Sequence, residues 1–261
     1  KMMKFRPCID IHNGKVKQIV GGSLRDEGDQ AAENFVSQQD GAYFARLYQD
    51  YGLLGGHVIM LNPASSPYYP ETKRQALLAL ENFPGGLQVG GGIHAGNAQE
   101  FLDAGASHVI VTSYVFSDGK ISYENLEKIS RVTGPEHLVL DLSCRRKGDD
   151  YYIVTDRWQK FTEVPFTVET LQELGQYCDE YLIHAVDVEG KARGIEEEVV
   201  RRLAQYTEHP VTYAGGVGSM DDLRKLESLG CGHVDVTGGS AVDLFGGSLP
   251  FTEILAFCNG K

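Results

Sequence analysis

The sequence predicts an α/β protein, a (β/α)8 TIM barrel made of two half-barrels, and three observations carry that reading. Eight short apolar runs punctuate the 261 residues, from "FRPCIDI" to "HVDVT". Near-continuous apolar runs mark strands covered on both faces. Stretches of helical periodicity fill the intervals, several ending at Gly, and strands that alternate with helices pair in parallel. The third observation is an internal repeat. Gly92 and Gly216 lie 124 residues apart, Thr112 and Thr237 lie 125 apart, and His57-Val58-Ile59 returns after 124 as Tyr181-Leu182-Ile183. An offset near half the chain, seen in three places, divides eight units into two fourfold halves. The repeat favours the closed barrel over a doubly wound open sheet. No linker rich in Pro, Gly or Ser separates the halves, so residues 1–261 read as one domain.

The elements follow in order. "FRPCIDI" is the first strand, and "HNGK" reads as a turn into a short β excursion. The insertion "SLRDEGDQAAENFVSQQDG" precedes the helix "AYFARLYQD". Then come "HVIML" with "ETKRQALLALENF", "LQVG" with "NAQEFLDAG", and "HVIVT" with "SYENLEKISRVTG". The second half begins at "HLVLDL", followed by the insertion "SCRRKGDDYYIVTDRWQKFTEV" and the helix "TVETLQELGQYC". "EYLIHAV" with "EEEVVRRLAQYTE", "PVTYAG" with "DDLRKLESLG", and "HVDVT" complete the series. Loops as long as the two insertions are usually functional in a compact fold.

Composition narrows the function classes. A net charge of −12 argues against nucleic-acid or anionic-membrane partners, which need a basic face. Five scattered cysteines with no C-x-x-C pair argue against a disulfide framework and structural zinc. No window approaches the roughly 18 apolar residues of a membrane span. The expectation is a soluble, cytoplasmic monomer that acts on a small molecule without metal or cofactor.

In a parallel barrel the active site lies at the C-terminal strand ends. Glycines there let backbone N–H groups approach a ligand, and a helix N-terminus adds a positive dipole end. Gly91 and Gly92 precede a helix at about 96, and Gly215 and Gly216 precede one at about 220. Each pair reads as an anion cradle. The next strands end in Thr112-Ser113 and in Thr237-Gly238-Gly239-Ser240, which bring hydroxyls and further N–H groups. Two cradles half a barrel apart suit a substrate with two phosphates.

The same symmetry pairs two carboxylates, Asp10 at the end of the first strand and Asp141 at the end of the fifth. A charge inside an apolar run is costly without a task, and two opposed carboxylates can serve as acid and base. His12, Asn13 and Lys15 are weaker candidates for substrate contact. Cys8 shares the face of Asp10 and reads as core or pocket lining rather than a nucleophile. His108 and His233 sit at matched strand starts, away from the catalytic end. In the insertion after the fifth strand Arg145, Arg146 and Lys147 precede the only tryptophan, Trp158, which reads either as a packed aromatic on a solvated hairpin or as a lid that stacks on a flat ring.

Taken together, "CIDIHNGKVKQIVGG", "QVGGGI", "LDLS", "IHAVDVEG", "YAGGV" and "DVTGGSAVDLFGG" resemble the histidine-biosynthesis isomerases that act on phosphoribosylformimino-aminoimidazole carboxamide ribotide, in their fungal and plant form. The resemblance spans the chain. It implies an Amadori rearrangement of an aminoaldose to an aminoketose on a bis-phosphorylated substrate, with Asp10 as base, Asp141 as acid and Gly190 among the binding residues. The chain departs from the bacterial pattern at His94, at "MLNP", at His184 and at Glu189. The sister cyclase of imidazole glycerol phosphate synthase shares the repeat and the carboxylates and is the alternative function. A non-catalytic phosphosugar-binding barrel is the other.

Overall fold

A computed structural model describes residues 2–20, 23–155 and 160–258. All eight expected strands form one parallel barrel: β1 (Cys8–His12), β2 (Gly56–Met60), β3 (Leu87–Gly90), β4 (His108–Val111), β5 (Leu138–Asp141), β6 (Glu180–His184), β7 (Val211–Ala214) and β8 (Val234–Thr237). The sheet closes where Phe5 bridges Val236 in parallel, with Arg6 N donating to Val236 O at 2.8 Å.

The seven helices read from the sequence are α1 (Gly41–Asp50), α2 (Tyr69–Asn82), α3 (Ala98–Asp103), α4 (Tyr123–Thr133), α5 (Val168–Leu174), α6 (Glu197–Ala204) and α7 (Met220–Leu229). An eighth, α8 (Phe251–Cys258), escaped the sequence reading. Several start sites are set by side chains. Asp40, Ser122, Thr167 and Ser219 each accept from the backbone N–H three residues on, which satisfies an otherwise orphaned donor.

Two separate cores result from the strand period of two. One face of each strand packs on the helices, where Ile9, Val58, Val89, Val109, Leu140 and Ile183 are buried. The other face points into the barrel, where Ile110, Val139 and Leu182 form a small cluster against Ile59. Among the inward polar groups, Arg6 clamps Glu180 at 3.1 Å and Asp235 at 3.1 Å. At the strand starts, His108 Nε2 lies 2.7 Å from Asp179 and His233 Nε2 lies 2.7 Å from Ala204 O. Both histidines therefore serve the structural end of the barrel, as expected.

Each insertion forms sheet. Strand 15–19 pairs antiparallel with β1 through a tight turn, where Asn13 and Gly14 take φ of 52° and 74°, and strand 33–36 pairs antiparallel with 15–19 to extend the barrel sheet. Segments 144–147, 150–155 and 160–165 build a three-stranded antiparallel sheet, one strand more than the expected hairpin. The alternation in "DYYIVT" buries Tyr151 and Ile153 and gives that sheet its own apolar face. Among the described residues no helix is long and apolar enough to cross a membrane.

Candidate active site

A cavity of about 490 Å³ opens at the C-terminal strand ends. Asp10, Asp141, Gly91, Gly92, Thr112 and Ser113 all line it, so six of the residues read from the sequence share one space. The two carboxylates meet different surroundings. Asp10 Oδ2 has Gln18 Nε2 at 3.4 Å, and burial, then the nearby Glu189, pushes its carboxyl up to about 7. Asp141 has donors on one oxygen and a histidine facing the other. Ser143 N at 3.0 Å and Ser143 Oγ at 2.6 Å donate to Oδ1, while His184 Nδ1 lies 3.1 Å from Oδ2. That last approach is off-line for a hydrogen bond, so the contact is an ion pair only when the imidazole is protonated.

His184 and Glu189 complete the polar wall, and both line the cavity. Burial alone lowers the basicity of an imidazole, but the Asp141, Glu189 and Asp10 carboxylates outweigh it and hold His184 up at about 9. Burial raises the Glu189 carboxyl, and its Oε2 has no hydrogen-bond partner among the described residues. The sequence marked both positions only as departures from a pattern. Gln18 was missed, although the alternation of "KVKQI" turns it inward toward Asp10. Cys8 is buried in the core and does not line the cavity, with its thiol pushed up by burial and then by Asp10.

The first cradle is accessible. Gly92 has φ of 71°, and a Cβ placed there meets no atom within 4 Å. His94 lines the same space, its Nδ1 accepting from Gly96 N at 3.0 Å. The helix behind this cradle starts at Ala98 rather than at about 96, and it is only six residues long.

The second cradle is covered, contrary to the expectation of two open sites. Gly215, Gly216, Gly238, Gly239 and Ser240 do not line the cavity. A Cβ on Gly216 would overlap Gly194 O, and Gly194 N donates to Gly216 O at 2.8 Å. A Cβ on Gly239 would overlap the Gln18 side chain. Asn34 Nδ2, from the first insertion, fastens the cover by donating to Gly190 O at 2.8 Å and Ser240 Oγ at 3.0 Å. Gly190 is thus part of the cover, where an added Cβ would overlap Ile19 O, and it does not line the cavity.

Other expectations are corrected in the same way. Arg145 Nε is paired with Asp187 Oδ1 at 3.0 Å and does not line the cavity. His12 contacts Lys17 Nζ at 3.2 Å and lines a separate hollow with Asn13. Trp158 lies outside the described residues.

A symmetric barrel with opposed carboxylates at its mouth narrows the family, and comparison decides it. The model of the family described as "Histidine biosynthesis protein" matches residues 4–247. The chain belongs to that family. Among its relatives is a chloroplastic protein of Medicago truncatula, 51% identical over 261 residues, covering 98% of this chain and 82% of the relative. A Neurospora crassa protein is 48% identical over 249 residues, 94% of each chain. A Saccharomyces cerevisiae protein is 43% identical over 255 residues, 95% of each. All three are named 1-(5-phosphoribosyl)-5-((5-phosphoribosylamino)methylideneamino)imidazole-4-carboxamide isomerase. The family's fold is the barrel described above, and its fungal and plant members are the relatives the sequence pattern suggested.

Proposed function

We propose that the protein is the Amadori isomerase of histidine biosynthesis, converting the bis-phosphorylated aminoaldose named in its relatives to the corresponding aminoketose. The observation that carries this reading is the meeting of Asp10 and Asp141, from opposite halves of the barrel, in one cavity beside a glycine cradle. The chemistry requires proton transfers at two places. A proton delivered to the ribose ring oxygen breaks the C1′–O bond as the amino nitrogen forms a Schiff base. A base then takes the C2′ proton, giving an enolamine, which tautomerises to the ketone.

Asp10 suits the base, because a carboxyl raised to about 7 both ionises near neutrality and holds a proton well. The ring-oxygen proton comes from the Asp141 side. One phosphate sits in the cradle of Gly91, Gly92, Thr112 and Ser113. The other takes the cradle of Gly215, Gly216, Gly238, Gly239 and Ser240 once residues 190–194 swing off it, and Trp158 closes over the substrate's imidazole. No metal or organic cofactor has a role in this scheme. The protein is taken as a cytoplasmic monomer, which cell fractionation and sedimentation test.

A spectroscopic assay with the aminoaldose and no ammonia tests the function. The expected result is conversion, with a saturable change in Trp158 fluorescence. Ammonia-dependent consumption of the aminoketose, with no action on the aminoaldose, would make the protein the cyclase instead. Binding of both without turnover would leave a phosphosugar-binding barrel.

A further inference from the structure

Asp10 and the second glycine cradle lie on different strands, and one side chain stands between them. Gln18 comes from strand 15–19, which folds back along β1, and it lines the cavity while only 4% exposed. Its Nε2 donates to Asp10 Oδ2 at 3.4 Å and to Cys8 Sγ at 3.7 Å, and Cys8 Sγ in turn donates to Gly238 O at 3.6 Å. The other end of the amide lies on Gly239, where an added Cβ would overlap Oε1 and fall 3.0 Å from Nε2. Gly239 does not take a left-handed backbone, so it is the amide that keeps a side chain off this position. Asn34, on the strand paired with 15–19, donates from Nδ2 to Ser240 Oγ at 3.0 Å. The small sheet thus sets two amides on consecutive residues of the cradle.

Chemistry decides which way round the Gln18 amide sits. An ionised carboxyl and a thiol that already gives its hydrogen to a carbonyl are both acceptors, so the NH2 group belongs toward β1 and the carbonyl toward Gly239. The titratable groups facing Asp10 are Glu189 on the loop after β6, His184 on β6, Cys8 on its own strand and Tyr48 on α1. Burial and then Glu189 push its carboxyl up, while His184 and the Gln18 bond favour the ionised form. Among the described residues, Gln18 is the group that hydrogen-bonds to Asp10, so it sets which way the carboxyl turns.

We propose that Gln18 is a positioning residue that braces Asp10 against the second phosphate cradle, its Nε2 holding Asp10 Oδ2 and its Oε1 end seated on Gly239. This deepens the isomerase reading, with Asp10 as base, and rests on it. A phosphate held at residues 238–240 limits how far C2′ of the same substrate lies from that cradle. The brace refers the carboxyl to the same point, so that binding of a remote phosphate is turned into alignment at the reacting carbon. A neutral amide does this without setting a further charge beside the base.

The test has two arms. In the first, Asp10 is titrated in the resting protein by carboxyl-carbon NMR, assigned with Asp10→Asn. Gln18→Leu keeps the volume and loses the donor. It should move that titration up by roughly 0.5–1 pH unit, carry the acid limb of the kcat/KM profile with it, and lower kcat roughly 3–30-fold with a smaller change in KM. Gln18→Glu sets a second carboxyl beside the first and should move the titration further. The second arm is a double-mutant cycle. Gly239→Ala alone should push the amide off Asp10 and reproduce the shifted acid limb. In a Gln18→Ala background the added methyl has room, and its cost in kcat/KM should shrink roughly threefold or more. An Asp10 titration that stays at the wild-type value in Gln18→Leu overturns the proposal. So do losses for Gln18→Ala and Gly239→Ala that simply multiply in the double variant. A wild-type protein that leaves the aminoaldose untouched overturns the isomerase reading instead, and the titrations of Gln18→Leu and Gly239→Ala still decide whether Gln18 holds Asp10 against the cradle.

Discussion

The two halves of this barrel carry the same sequence pattern and end in different states. The first half presents an open cradle at Gly92 and a carboxyl, Asp10, with one weak side-chain donor at 3.4 Å. The second half presents a cradle overlaid by Gly194 and a carboxylate, Asp141, bracketed by Ser143 and His184. A symmetric pair of carboxylates in identical surroundings would titrate alike and could not divide acid from base work. The asymmetry comes from what the loops add. The short strand 15–19 after β1 supplies Gln18 to Asp10, while β6 and its loop supply His184 to Asp141 and the cover to the second cradle.

The largest expected effect tests the two carboxylates against each other. Asp10→Asn should lower kcat by about 10²–10⁴-fold with KM within about tenfold, and Asp141→Asn should do the same if the two carboxyls divide acid and base work. Near wild-type turnover in either variant would remove that residue from the division. Stability should separate them. Asp10 moves from 3.8 to about 7 on folding, so between those values the unfolded chain releases a proton that the folded one keeps. Stability therefore falls as pH rises through that window and stays lowered above it. Asp10→Asn removes the fall, and its melting temperature should exceed wild type at pH 8 but not at pH 4.

A smaller effect compares the cradles. Gly92 and Gly216 have φ of 71° and 77°, so Val costs about 1–3 kcal/mol of backbone strain at either position. Only at 216 does the new Cβ also overlap Gly194 O, adding roughly 1–3 kcal/mol. Both variants should raise KM, and denaturant melts should find Gly216→Val the less stable. Equal stability would mean that the cover yields freely.

The smallest effect concerns the fastening of that cover. Asn34→Ala loses the bonds to Gly190 O and Ser240 Oγ, worth about 0.5–1 kcal/mol at an exposed site. Trypsin should then cut at Lys191 or Arg193 roughly 2–5-fold faster, since cleavage follows the population of the opened loop. An unchanged cleavage rate would show that Gly194 alone holds the loop.

The sequence by itself determined the eight strands, seven of the eight α-helices among the described residues, the half-barrel repeat, and the strand-end positions of Asp10, Asp141 and Gly92. These were legible because strands covered on both faces must be apolar throughout, and because positions at strand ends are fixed by counting along one segment. Helix α8 went unread because its start follows directly on a loop rich in Gly and Pro, with no strand after it. Tertiary structure alone decided that His184 meets Asp141, that Gln18 reaches Asp10, that Arg145 is spent on Asp187, and that Gly190 and Gly194 close the second cradle. Each of those depends on groups distant in the chain or on the path of a loop. A charge, a proton affinity or an access route is set by whatever stands within a few ångströms, and local sequence periodicity says nothing about which distant residue that will be.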